Sequence, residues 1–186
     1  MKYTTMWYKT TLPKDLIDIV SRECLQHEDT LSSSTVNPGE NQEINLDIRN
    51  SKNSWIDSAH WISGFCYHYI LLANESNFKY DINSFGNKFL QYTSYSAGHF
   101  YDWHSDNSIH DEGTTRKLSF SLQLSDPEDY SGGELQFMGK GNTTYFAPKT
   151  RGTMIVFDSR VLHRVRKIKS GCRKSLVGWV EGPLWR

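Results

Sequence analysis

Tyr95-Ser-Ala-Gly-His-Phe-Tyr-Asp-Trp-His-Ser-Asp106 is the stretch on which the reading of this chain turns. It has the aromatic composition of a β-strand, along which successive side chains alternate between faces. His104 and Asp106 then project to one side, where both could reach a single metal ion. The pair alone carries little weight: with seven His in 186 residues, chance supplies roughly half an occurrence at this spacing. His27-Glu28-Asp29 matches the pattern and His110-Asp111-Glu112 nearly does. Neither sits on an expected strand with later partners, so both are read as solvated surface groups.

Working outward, the downstream chain is a series of short β-branched or aromatic segments separated by Gly, Asn, Asp, Ser or Pro. They are Phe78–Ile82, Lys88–Tyr95, His99–His104, Lys117–Leu124, Glu134–Met138, Thr143–Ala147, Thr153–Phe157, Val161–Val165 and Arg173–Val180. Upstream, Met1–Thr11 reads as an opening strand. Pro13 starts a helix in which Leu16, Ile17, Val20 and Cys24 recur at helical spacing to about His27. Glu28–Asn53 has the polar composition of a long surface loop, a candidate lid. Asp57 or Ser58 caps a second helix whose stripe of Trp61, Phe65, Tyr69 and Leu72 is expected to pack on a sheet. Strands behind two helices give a mainly β (α+β) fold, a double-sheet jelly roll with helical support, in one domain over residues 1–186.

Two strands carry chemistry. In Lys117–Leu124, Leu118, Phe120, Leu122 and Leu124 alternate with Ser119, Ser121 and Gln123, giving one core face and one polar face. In the last strand Arg173, Ser175, Val177 and Trp179 share a face, setting a guanidinium beside a hydroxyl. His163, on a separate strand, completes His104 and Asp106 as two imidazoles and a carboxylate with further positions open, the donor set of a non-haem Fe(II) oxygenase. Arg173, ten residues on, is a planar fork suited to hold a carboxylate.

Composition narrows the class. Basic and acidic residues balance at 21 each, which gives no electrostatic case for nucleic acid or an anionic membrane. Cys24, Cys66 and Cys172 are an odd number at wide spacings, as expected of reduced thiols in the cytoplasm. No apolar run has signal-peptide or membrane-span length, so a soluble protein is expected.

At these residues the chain resembles the 2-oxoglutarate and Fe(II)-dependent oxygenases, in their prolyl 4-hydroxylase-like and PKHD-type branch. The resemblance runs from about Trp55 to Glu181. It is carried by Tyr95-x-x-Gly98 before His104-x-Asp106, then Leu122-Gln123-Leu124-Ser125, Ser131-Gly132-Gly133-Glu134-Leu135, His163-Arg164-Val165 and Gly171-x-Arg173-x-Ser175. It implies a double-stranded β-helix buttressed by helices. His104, Asp106 and His163 would bind Fe(II). Arg173 would hold the distal carboxylate of 2-oxoglutarate, with Tyr95, Ser119 and Ser175 assisting. O2 would be the second cosubstrate and ascorbate a candidate reductant.

The implied reaction hydroxylates an unactivated C–H while 2-oxoglutarate is decarboxylated to succinate. A prolyl residue in a protein or peptide is the first substrate expected, and a free amino acid or other small molecule the second. Trp179, Trp103 and Arg160 are the candidate substrate contacts. Arg173 stands where many animal and plant prolyl 4-hydroxylases have Lys, which groups the chain with the oxygen-sensing and bacterial-type members. Two rival readings use the same architecture. A jelly-roll binding module without redox chemistry has no need of an Arg ten residues after a distal His. A nucleic-acid demethylase is disfavoured by the neutral charge and by the lack of a second Arg six residues beyond Arg173.

Overall fold

The alternation read in Lys117–Leu124 belongs to a ten-residue strand, Thr114–Gln123, at the centre of the architecture. The computed structural model describes residues 6–36, 43–85, 89–110 and 113–185. In chain order the elements are β1 (Trp7–Thr11), α1 (Lys14–Leu25), β2 (Ser32–Ser33), β3 (Arg49–Asn50), β4 (Lys52–Asp57) and α2 (Trp61–Ala73). Then come β5 (Phe89–Ser96), β6 (Phe100–His104), β7 (Ile109–His110), β8 (Thr114–Gln123), β9 (Tyr130–Gly132) and β10 (Leu135–Met138). The last are β11 (Thr144–Phe146), β12 (Thr153–Asp158), β13 (His163–Val165) and β14 (Ile168–Pro183).

Two antiparallel sheets result. The major sheet runs β1-β12-β8-β14-β5-β4-β2, and the minor sheet β11-β10-β13-β6-β3. This is the expected double-stranded β-helix. One face of the major sheet lies under the helices. There Leu118, Phe120 and Leu122 of β8, Met154 and Val156 of β12, Leu90 and Tyr92 of β5, and Leu176 and Val180 of β14 pack against Ile17, Val20 and Cys24 of α1 and Ile62, Cys66 and Ile70 of α2. A second cluster, with Tyr95, Leu135, Phe137, Ile155, Phe157 and Val165, fills part of the space between the sheets. Gln91, Thr93, Ser121, Ser175 and Arg173, which point the other way from the helix-facing residues, are buried all the same. The polar face of β8 therefore looks into the barrel, where burying polar groups is costly unless a ligand or water satisfies them.

The helical half differs from the sequence expectation in three places. Segment 28–53 is partly annexed by the sheets: Ser32 and Ser33 pair with Asn53 and Lys52, and Arg49 and Asn50 pair with Tyr101 and Phe100. Backbone pairing of this kind needs no apolar pattern, so the polar composition concealed it; residues 37–42 lie outside the described residues. Along α2 the buried side is Ile62, Cys66, Ile70 and Ala73, while Trp61 and Leu72 are exposed. Trp61, Phe65 and Tyr69 instead form an edge-to-face ladder on the flank. The helix is apolar nearly all round, so periodicity alone could not choose its face. Its cap is His60, whose Nδ1 accepts from the Ile62 amide at 3.3 Å, rather than Asp57 or Ser58. Phe78–Ile82 is not a strand: the Asn74 side chain bonds both backbone groups of Tyr80, at 2.8 and 2.9 Å, and closes a wide helical turn ending at Phe78. No described helix is long and apolar enough to cross a membrane.

The turn into Arg173 depends on Gly171. Its φ is +75°, and an added Cβ would lie 2.0 Å from the carbonyl oxygen of Asp129. Gly171→Ala is expected to lower Tm by about 4 °C or more, from left-handed strain of ~1–2 kcal/mol plus the clash with backbone. Thermal melts of the two proteins check this, and equal midpoints would show that the turn tolerates another conformation.

Candidate active site

His104 ends β6 and His163 begins β13, and the two are direct cross-strand partners. Asp106 lies two residues past His104, its amide donating to the Ser159 carbonyl at 2.9 Å. The ligand atoms of the three all fall within 4.8 Å of one another. Asp106 Oδ1 is 3.7 Å from His104 Nε2, and Oδ2 is 3.5 Å from His163 Nε2. The other ring nitrogens face carbonyls, His104 Nδ1 that of Asp102 at 2.7 Å and His163 Nδ1 that of Val161 at 2.9 Å. A carbonyl only accepts, so each Nδ1 carries the hydrogen and each Nε2 offers a lone pair. This donor set fits a divalent iron. It is also the one group of His, Cys, Asp and Glu side chains among the described residues whose spacing suits a metal.

Electrostatics point the same way. Burial first, then neighbouring His163, pushes the His104 imidazole down from its ordinary 6.5 to about 4, so it is neutral and ready to ligate at neutral pH. Burial would raise the Asp106 carboxyl, yet His163, His104, Arg116 and the Ser119 hydroxyl together hold it below its ordinary value.

Opposite the triad, Arg173 is 4% exposed. It pairs across the sheet with Tyr95, its guanidinium 5.7 Å from that ring, and donates to Ser175 Oγ at 3.3 Å. Gly133, at φ +64°, makes room for it, since a Cβ there would come within 3.3 Å of Arg173 Cδ. Among the described residues no carboxylate forms an ion pair with Arg173. A buried guanidinium in that position calls for an anionic ligand. It shares a cavity of about 560 Å³ with the triad, Tyr95, Ser175 and Trp179.

The remaining expected residues divide. Ser119 sits at the metal end, bonded to Ser159 Oγ at 2.9 Å, while Ser121 lines the cavity in its stead. Trp103 is on the outer side of the minor sheet under the Arg164 guanidinium, 4.6 Å away, and Arg160 pairs with Asp158 and covers Trp185. Neither borders the cavity. Arg116, which sequence reasoning missed, does: its guanidinium lies 4.2 Å over the Trp179 ring, and its Nε is buried without a hydrogen-bond partner. Strict alternation assigns it to the helix side with Leu118. Consecutive Val180 and Glu181 of β14 face Leu118 and Arg116 of β8, so Lys117 is an extra residue in β8 itself, and this bulge turns Arg116 inward.

Fold and site together are of the kind found in the 2-oxoglutarate and Fe(II)-dependent oxygenases. Residues 90–181 match the model of the 2OG-Fe(II) oxygenase superfamily, and the chain belongs to that superfamily, whose cofactor is Fe(II) and whose cosubstrates are 2-oxoglutarate and O2. Its branch is the prolyl 4-hydroxylase-like, PKHD-type one. A PKHD-type hydroxylase of Prochlorococcus marinus is 40% identical over 92 residues, 50% of this chain and 41% of that protein. One of a Synechococcus species is 45% identical over 86 residues, 46% of this chain and 37% of its own. The chain thus matches about two-fifths of the length of these relatives. A Pseudomonas putida prolyl-4-hydroxylase superposes with a TM-score of 0.74 at 26% identity, covering 95% of this chain and 92% of its own. A Trichoplax adhaerens prolyl hydroxylase in complex with a hypoxia inducible factor peptide fragment shares the fold, with a TM-score of 0.76 at 19% identity over 95% of this chain and 84% of that one.

Two outcomes follow for the metal-free and metal-loaded protein. Mn(II) at about 100 times its Kd should stabilise the fold by ~2.7 kcal/mol, an increase in Tm that His163→Ala abolishes. Unfolded His104 protonates near 6.5 and folded His104 near 4, so the unfolded state binds more protons between those values. Stability of the metal-free protein therefore falls as pH drops through that window. Melts at stepped pH test this, and a flat profile would mean that His104 is solvated.

Proposed function

We propose that the protein is a 2-oxoglutarate- and Fe(II)-dependent dioxygenase that hydroxylates an unactivated C–H of a prolyl residue in a protein or peptide. The observation that carries the reading is the open His104–Asp106–His163 triad facing the buried Arg173 guanidinium across one cavity. Bound iron with 2-oxoglutarate supplies the oxidative chemistry, in which decarboxylation to succinate accompanies insertion of one O2 oxygen into the substrate. The chain's own residues orient and shield. Arg173, with Tyr95 and Ser175 beside it, receives the distal carboxylate and so fixes the direction in which the 2-oxo end points. Phe137, Phe157 and Leu135 keep the His163 side of the cavity apolar.

The prolyl reading is supported by the mouth. Trp179 and Trp55 stand 6.5 Å apart, a surface against which the C–H face of a compact, apolar pyrrolidine ring would pack. Arg116, with an unpartnered Nε beside Trp179, would donate to a carbonyl next to such a ring. The bacterial and animal structural neighbours are prolyl hydroxylases, one holding a peptide. We also place the protein in the cytoplasm, on the evidence of three unpaired thiols.

A peptide-library screen with Fe(II), 2-oxoglutarate and O2, read by the mass gain of one oxygen atom and by succinate, tests the reading. Hydroxylated proline is expected. Oxidation of free amino acids alone would move the substrate class to small molecules, and absence of succinate with every substrate would favour a binding module. Arg173→Gln should raise the apparent KM for 2-oxoglutarate by about 30-fold or more, because it removes one half of a buried charge pair. An unchanged KM would place the cosubstrate elsewhere.

A further inference from the structure

Arg49 is buried, 7% exposed, in a segment whose composition is that of a surface loop. It reaches the minor sheet through β3, where it is the cross-strand partner of Tyr101. Its Nε donates to Ser51 Oγ at 3.0 Å and one terminal nitrogen to the Thr35 carbonyl at 3.2 Å. Ser51 in turn donates to Ser34 Oγ at 2.8 Å, and Ser34 to Asn53 Oδ1 at 3.2 Å. This chain of buried polar groups pins the guanidinium 4.6 Å from the Tyr101 ring centroid. The Tyr101 ring stacks on the His104 imidazole, with centroids 3.5 Å apart and planes 15° from parallel.

We infer that Arg49 and Tyr101 are positioning residues that hold the His104 ring in the plane required for metal ligation. The inference rests on the triad being a metal site. The single hydrogen bond from His104 Nδ1 to the Asp102 carbonyl fixes one edge of the ring but leaves rotation about that bond open. A stacked face removes that freedom, and Arg49 fixes the stacked face. The arrangement explains why Ser32 and Ser33 join one sheet and Arg49 and Asn50 the other: this stretch carries the support for a ligand that lies on another strand. Outer-shell partners of this kind typically change metal affinity by roughly 10–100-fold when removed.

The test is Mn(II) titration by calorimetry, without 2-oxoglutarate or substrate, on the full chain and four variants, with the metal-free Tm as a check on folding. Tyr101→Leu and Arg49→Met are expected to weaken Mn(II) by roughly 10–100-fold, whereas Tyr101→Phe, which keeps the stacked face, stays within about twofold of wild type. Arg49→Lys, which keeps charge but loses the planar fork, falls between. Unchanged affinity in Tyr101→Leu and Arg49→Met overturns the inference, and a raised substrate KM alongside it would make Arg49 a substrate contact. If Arg49→Met does not fold, the Tyr101 pair decides: equal weakening by Leu and Phe shows that the hydroxyl, not the stack, is what matters. Failure of the wild type itself to bind Mn(II) refutes the metal site and, separately, this inference with it.

Discussion

The pairing of β6 with β13 is the constraint on which the rest depends. It makes His104 and His163 neighbours across one ladder. Each then ties its Nδ1 to the carbonyl two residues before it in the chain, Asp102 and Val161. The same local geometry is used twice, so two imidazoles present their Nε2 atoms to one point without any long-range adjustment. Asp106 needs only the short step past the end of β6, fixed by its amide on Ser159. Ladder register, rather than loop conformation, thus sets the metal site, as precise placement requires.

Every other part of the architecture supplies something that the minor sheet lacks. The major sheet carries Arg173 opposite the triad, and its strands serve two environments at once. On β14, Leu176 and Val180 pack under the helices while Arg173, Ser175 and Trp179 face the cavity. The helices cover the outer face with apolar side chains, leaving the inner face free to be polar. Without that cover the inner face would have to carry the core itself, and the cavity would close.

Much of this was legible in the sequence because it follows period-two alternation. Leu118 to Gln123, the His104 and His163 donors, and the Arg173 face stand where strand geometry puts them, while Asp106 joins them from two residues past the end of β6. The rest was hidden for identifiable reasons. Arg116 is turned inward by a register shift that no pattern of residue types marks. Arg49 lies on a strand of two residues in polar surroundings, too short for alternation to be seen. Ser119 and Ser121 share a face, and only the tertiary structure decides which is near the metal and which lines the cavity. The buried side of α2 was undecidable because both of its sides are apolar. For β8 and α2 the local element is legible in the sequence, and packing against a distant one chooses its face; for β3 the distant partner, β6, creates the element as well.

Charge gives the last step. Among the described residues lining the cavity, Arg49, Arg116 and Arg173 face a single carboxylate, Asp106, although the whole chain is neutral. Such an excess inside the fold is screened little by salt, so it acts on whatever enters. It favours a dianionic cosubstrate at Arg173 and works against a cationic substrate side chain near Arg116, since like charges in a partly dehydrated cavity repel strongly. A lysyl or arginyl target would meet that repulsion; a prolyl ring flanked by carbonyls would not. Asp106 itself is held ionised, although buried, by His163 and His104 first and then by Arg116. Arg116 therefore serves both ends of the site, helping to keep the Asp106 carboxylate charged and favouring ligands that bring negative or neutral groups.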